Sequence, residues 1–201
     1  MNGGGWGGRM WVVGVYAFLY VPILCLIVFS FTAGEITTRL DGLSLRWYAA
    51  LARDAELHAA VLLSLCVGAL AATAAVVVGT AAAVILVRAG PYPGSRFFVG
   101  MMSAPMVMPE VVVGLSLVLL FTHPALAVLG GRGVAAIWVA HTTMCAAYVA
   151  VLVASRLREM DRALEEAALD LGCPPLKVFF AITVPVIAPA LAAGWLLAFT
   201  L

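Results

Sequence analysis

A chain of 201 residues in which 65% are hydrophobic and 10% charged is not composed like a soluble domain, which carries about 25% charged residues. Its net charge of +1 singles out no partner, and without a basic stripe a nucleic-acid partner has no support. The charges fall in a few short stretches between apolar runs of 18 or more residues, each long enough to cross a hydrocarbon core about 30 Å thick. The chain therefore reads as an integral membrane protein. Backbone groups in lipid must be satisfied internally, and the runs show no two-residue alternation, so the expected fold is an all-α, polytopic transmembrane helix bundle.

Five spans are predicted, over residues 11–31, 59–87, 97–121, 134–154 and 184–201. The first follows Arg9 and is longer than a signal-peptide core, and no A-x-A site follows at Phe31-Thr32-Ala33-Gly34. An uncleaved span is expected there. The segment 32–58 carries Glu35, Asp41, Asp54 and Glu56 against three arginines, together with Trp47-Tyr48. Aromatic rings beside acidic groups can hold amines through cation–π contacts, but interface anchoring is the expectation. In the second span Ala71, Ala75, Gly79 and Ala83 recur every four residues, with Ser64, Gly68 and Ala72 in a parallel row. Such rows let helix backbones approach closely in lipid.

The third span holds Glu110, the one acidic residue within a predicted span. Thirteen residues past Phe97, it would lie roughly 20 Å along a helix rising about 1.5 Å per residue. A charge at that depth costs at least about 2.5–3.5 kcal/mol and marks a substrate or ion route. Pro105 and Pro109 remove backbone donors, so the helix is expected to bend or break just before Glu110. Freed carbonyls and a carboxylate together suit a cation; the alternative is a protonated or purely structural Glu110. Met101, Met102, Met106 and Met108 around it are expected to be packing residues.

No catalytic constellation appears. The chain has no G-x-x-x-x-G-K-[ST] loop, and its only lysine is Lys177, so any ATP hydrolysis must belong to another chain. His58, His123 and His141 match no metal motif, and Cys25, Cys66, Cys145 and Cys173 lack metal-ligand spacing. No metal and no cofactor are expected.

The most informative stretch is Glu166-Ala167-Ala168-Leu169-Asp170-Leu171-Gly172, followed by Ile182-Thr183-Val184-Pro185. It is a short charge-bearing segment between apolar runs. Its spacing resembles the EAA…G…I-LP signature of permease subunits of bacterial binding-protein-dependent ABC importers. Leu45-Arg46-Trp47-Tyr48, the run from Pro109-Glu110 to Leu117, and Ala193-Gly194-Trp195 onward to Leu201 are similar to spermidine/putrescine importer permeases, in particular the second of their two permease subunits. Val184 stands where the signature usually has leucine, Glu110 where these subunits commonly have aspartate, and Ala147 where a proline is often found, which implies a straighter fourth span.

The resemblance implies a type I, MetI-like permease in the bacterial inner membrane. It implies a signature loop folded into short helices that dock in a groove on an ATP-binding subunit present in two copies. A second permease subunit, a solute-binding protein and the lipid bilayer complete the implied surroundings. Glu166, Ala167, Ala168, Gly172, Ile182 and Pro185 are the implied coupling residues; Glu110, Pro109 and Trp195 are the candidate substrate path. Residues 1–58 are expected to form an N-terminal span and external segment, and 59–201 the core permease domain. The related permeases continue beyond this point, so a piece ending before the last span is expected, with a genuine five-span protein as the alternative. With the N-terminus inside, seven of the eleven basic residues fall on the cytoplasmic side, which favours that orientation. Competing readings are an importer of iron, an amino acid or a phosphonate, a secondary transporter using Glu110 as an ion site, and a non-transporting scaffold.

Overall fold

The computed structural model describes residues 6–35, 39, 41–90, 92–108, 110–123 and 133–201. Its regular elements are helices, in the order α1 (Trp6–Phe29), α2 (Arg46–Leu51), α3 (Ala55–Arg88), α4 (Ser95–Val107), α5 (Glu110–Thr122), α6 (Val134–Glu159), α7 (Ala163–Asp170), α8 (Pro175–Val178), a π-helical turn (Phe179–Thr183) and α9 (Val184–Thr200). Among the described residues, four helices are long and apolar enough to span a membrane, or five if the bent pair α4–α5 counts as one span. The chain divides into two compact units, Met1–Val61 and Leu62–Leu201.

In the first unit α1 is apolar on every face beyond Arg9. The segment after it is closed by an antiparallel bridge between Thr32 and Leu43. The buried Thr32 hydroxyl donates to the Arg39 carbonyl (2.9 Å) and accepts the Asp41 amide (3.2 Å). The two aromatic residues are occupied locally. Tyr48 shares a 2.7 Å hydrogen bond with Ser30 and packs on Phe31, while Trp47 donates to the Gly34 carbonyl and lies under the Arg46 guanidinium. An amine-binding role for Trp47 would have to displace the chain's own cation.

Several boundaries differ from expectation. Helix α3 starts at Ala55 because the Asp54 carboxylate accepts the Leu57 amide at 2.9 Å, capping the helix four residues early. Helix α6 runs on to Glu159 and places Arg156 and Arg158 in its last turn, where cations complement the helix dipole. It is unbroken through the buried Ala147. The last long helical stretch begins at Pro175, not residue 184, so half of the signature segment belongs to it. The third predicted span is two helices meeting at 110°. Met108, before Pro109, is extended (φ −75°, ψ 140°), as sterics ahead of a proline require. A depth for Glu110 extrapolated along a straight helix does not carry across that break. Pro109 itself lies outside the described residues.

The core of the second unit joins α3, α6 and α9 through Ala72, Ala75, Ala83, Cys145, Ala146, Val149, Val153, Leu157, Ile187 and Ala198. The row Ala71, Ala75, Gly79 and Ala83 is buried as a unit, whereas Ser64 of the parallel row is exposed. At Gly79 the helices touch backbone to backbone: a Cβ there would come within 2.8 Å of the Ala146 carbonyl oxygen and of the Val149 Cβ. Hydroxyls along the spans are mostly turned back onto their own helix, as in Thr73 to the Ala69 carbonyl and Thr143 to that of Val139, which satisfies them without water. Gly79→Val should therefore force α3 from α6 and cost about 1–3 kcal/mol. Thermal unfolding in detergent should show a clear drop, while Gly14→Val, with nothing within 4 Å of its Cβ, should leave the midpoint unchanged.

Candidate functional site

The signature loop is built by local signals. Asp161 accepts the Ala163 amide at 2.9 Å and opens α7. Glu165 and Glu166 occupy its first turn, favourable against the positive end of the helix. At its far end the Gly172 amide bonds the Leu169 carbonyl (2.9 Å) and the Cys173 amide bonds that of Ala168 (3.1 Å), a Schellman closure. It needs a left-handed residue, and Gly172 supplies φ +81°. Pro174 is extended, and Pro175 opens α8 where its missing N–H costs nothing. The π turn then carries the chain into α9: Val184 bonds the Phe179 carbonyl, five residues back, and Pro185 follows without an amide to offer.

The two glutamates of α7 part company. Helical residues one apart differ by about 100°, so only one can face the bundle. Glu166 faces out, with its side chain 66% exposed and 3.8 Å from Arg162; such a pair contributes about 0.3–0.5 kcal/mol. Glu165 faces in, with its side chain 16% exposed. Its Oε1 accepts the Thr183 hydroxyl at 2.6 Å, and its Oε2 lies 3.0 Å from the guanidinium of Arg88, itself 18% exposed. One carboxylate thus joins α7 to the end of α3 and to the turn that begins α9. Arg88, Glu165 and Thr183 were not among the residues singled out from the sequence. The available signals were an arginine closing a long apolar helix and a second acid beside the signature glutamate.

Of the implied coupling residues, Ala167, Gly172 and Pro185 are exposed, and Ala168 and Ile182 are half-buried. Around them Leu164, Leu169, Leu171 and Leu176 stand out from the loop. Of the candidate path residues, Glu110 and Trp195 are described, and no hydrogen bond or ion pair joins the two. Glu110, in the first turn of α5, is exposed and makes no polar contact with a described residue. Trp195 is engaged: it donates to the Thr73 hydroxyl at 3.1 Å, tying α9 to α3, and stacks on Phe199 with centroids 5.2 Å apart.

A bundle of apolar, span-length helices with a capped two-helix loop tied to the ends of its spans defines an integral membrane protein. The chain belongs to the family of binding-protein-dependent transport system inner membrane components, whose pattern matches residues 91–201. It is 55% identical to the putrescine transport system permease protein PotI of Escherichia coli strain K12 over 188 residues, covering 92% of this chain and 67% of that one. It is 36% identical to the spermidine/putrescine transport system permease protein PotC of the same strain, covering 97% and 71%. It is 35% identical to PotC of Haemophilus influenzae, covering 93% and 71%.

A Cβ at Gly172 would meet nothing within 4 Å, so substitution there is opposed by backbone strain alone. Gly172→Val should cost about 1–2 kcal/mol and open the end of α7 to limited proteolysis. Gly172→Asn, which tolerates the left-handed region, should stay close to the wild-type cleavage rate.

Proposed function

We propose that this chain forms part of the path for putrescine or spermidine in an ATP-driven importer. Two copies of an ATP-binding subunit supply the energy, a second permease subunit completes the path, and an external solute-binding protein delivers the substrate. The observation that carries this reading is the signature loop. Its backbone is fixed by caps and by Glu165, while Leu164, Leu169, Leu171, Leu176 and Glu166 are left facing outward. An apolar helix end with a peripheral acid suits insertion into a groove on another subunit. The names of the relatives support polyamine cargo, and the absence of a phosphate-binding loop in this sequence supports hydrolysis on a separate chain.

In this reading residues 1–58 form the N-terminal span and external segment, and 59–201 the core permease domain. The N-terminus is cytoplasmic, and so is the loop over residues 166–185. Closure of the ATPase pair shifts the loop, which tilts the spans and opens the path outward. The cargo biases this equilibrium only as far as its affinity differs between the two states. Glu110, with Pro109 breaking the helix ahead of it, offers a carboxylate to the amine, and Trp195 braces the wall of the path from α9.

Orientation is tested by fusing a reporter active only outside the cytoplasm. Activity is expected after Asp41 and none after Arg162; the reverse would put the loop out of reach of ATP and sink the importer reading. For cargo, Glu110→Gln keeps the size and removes the charge. Loss of a charge-assisted contact of about 1.5–3 kcal/mol should lower radiolabelled putrescine or spermidine uptake roughly ten- to hundredfold, and Glu110→Asp should retain most of it. Wild-type uptake by an assembled Gln variant would remove Glu110 from the path.

A further inference from the structure

We infer that Glu165 is the positioning residue that transmits movement of the docking loop to the spans, acting through Arg88 and Thr183. The inference rests on the importer reading and concerns a residue distinct from the outward-facing Glu166. It starts from connectivity. Apart from the covalent chain, among the described residues α7 has two charged or hydroxyl ties to the bundle, and both end on the one carboxylate of Glu165. One tie leads to Arg88, the last residue of α3, the helix whose Ala/Gly row is locked against α6. The other leads to Thr183, the buried last residue of the π turn that opens α9. A displacement of α7 is therefore felt at the ends of two core helices at once.

The geometry is that of a joint, not of a rivet. An arginine that only staples two helices would use its planar fork in parallel hydrogen bonds. Here the contact is a single ion-pair approach of 3.0 Å between one guanidinium nitrogen and Glu165 Oε2. The attraction between the charges is largely independent of direction, so the pair can persist while α7 rotates. The π turn adds compliance at the Thr183 end, since a widened turn is a common place for a helix to yield.

The test uses the complete complex, with ATP-binding subunits, partner permease and binding protein, reconstituted in vesicles and normalised to assembled complex. Glu165→Gln keeps an acceptor for Thr183 and deletes the charge facing Arg88. It should still bring down the ATP-binding subunit at the wild-type ratio and hydrolyse ATP at the basal rate. Uptake, and the stimulation of hydrolysis by loaded binding protein, should fall about tenfold, the scale of one lost charge-assisted contact. The exchange Arg88→Glu with Glu165→Arg should recover several-fold of that loss over either single change. Thr183→Val, which leaves the charges in place, should lower uptake by a smaller factor without altering the basal rate. The inference is overturned if uptake per assembled complex and stimulated hydrolysis are unchanged in Glu165→Gln. It is also overturned if the only effect in all three variants is a lower yield of complex, which would make the cluster purely structural. If the wild-type complex shows no ATP-dependent uptake at all, the importer reading fails, and that result is separable from any effect of these variants.

Discussion

In hydrocarbon, helices gain nothing from burying apolar surface against each other, because lipid tails are equally apolar. What holds this bundle is close approach, as at Gly79 of α3 against Ala146 and Val149 of α6. From there the alanine row of α3 and the face of α6 running from Cys145 through Val149 and Val153 to Leu157 form one seam, with α9 laid along it through Ile187, Gly194 and Ala198. The remaining features of the second unit are arranged about that seam. Helices α4 and α5 lean on α6, and the signature loop is tied to the ends of α3 and α9.

On the α3 side the seam is alanine and glycine, which fixes the helix separation by backbone approach; on the α6 and α9 sides it is filled by Val149, Val153, Leu157 and Ile187. The specific, directional contacts lie at the ends and margins: Trp195 to Thr73 between α9 and α3, and Arg88, Glu165 and Thr183 beneath the loop. Polar contacts are strongest where water is scarce, so a few of them, placed at helix ends, can govern how a nearly featureless bundle is tilted. The break ahead of Glu110 adds another point of compliance. Two short helices meeting at 110° replace one stiff rod, and the acid is carried at the start of the second.

Much of this was legible in the sequence, for a physical reason. Span-length apolar runs, the four-residue row of small residues, the break before Glu110 and the glycine turn at the end of α7 are each written in local spacing. Local spacing is read directly, because the period of the helix and the demands of the bilayer are fixed in advance. The signature loop likewise declared itself through contiguous residues. Boundaries were harder. The early start of α3 depends on which acid caps it, and the reach of the last long helix back to Pro175 depends on a π turn that no short pattern announces.

What only the tertiary structure decided is which of two adjacent glutamates faces inward. The sequence determined that this is a helical membrane protein, since composition and periodicity leave no other way to satisfy the backbone in lipid; the loop stood out only through its resemblance to the importer signature. The sequence could not determine that Arg88, 77 residues before Glu165, and Thr183, 18 residues after it, converge on that carboxylate. Convergence across such separations follows from how α3, α6 and α9 pack, and the packing angle between helices is a property of three surfaces together, not of any one stretch of chain.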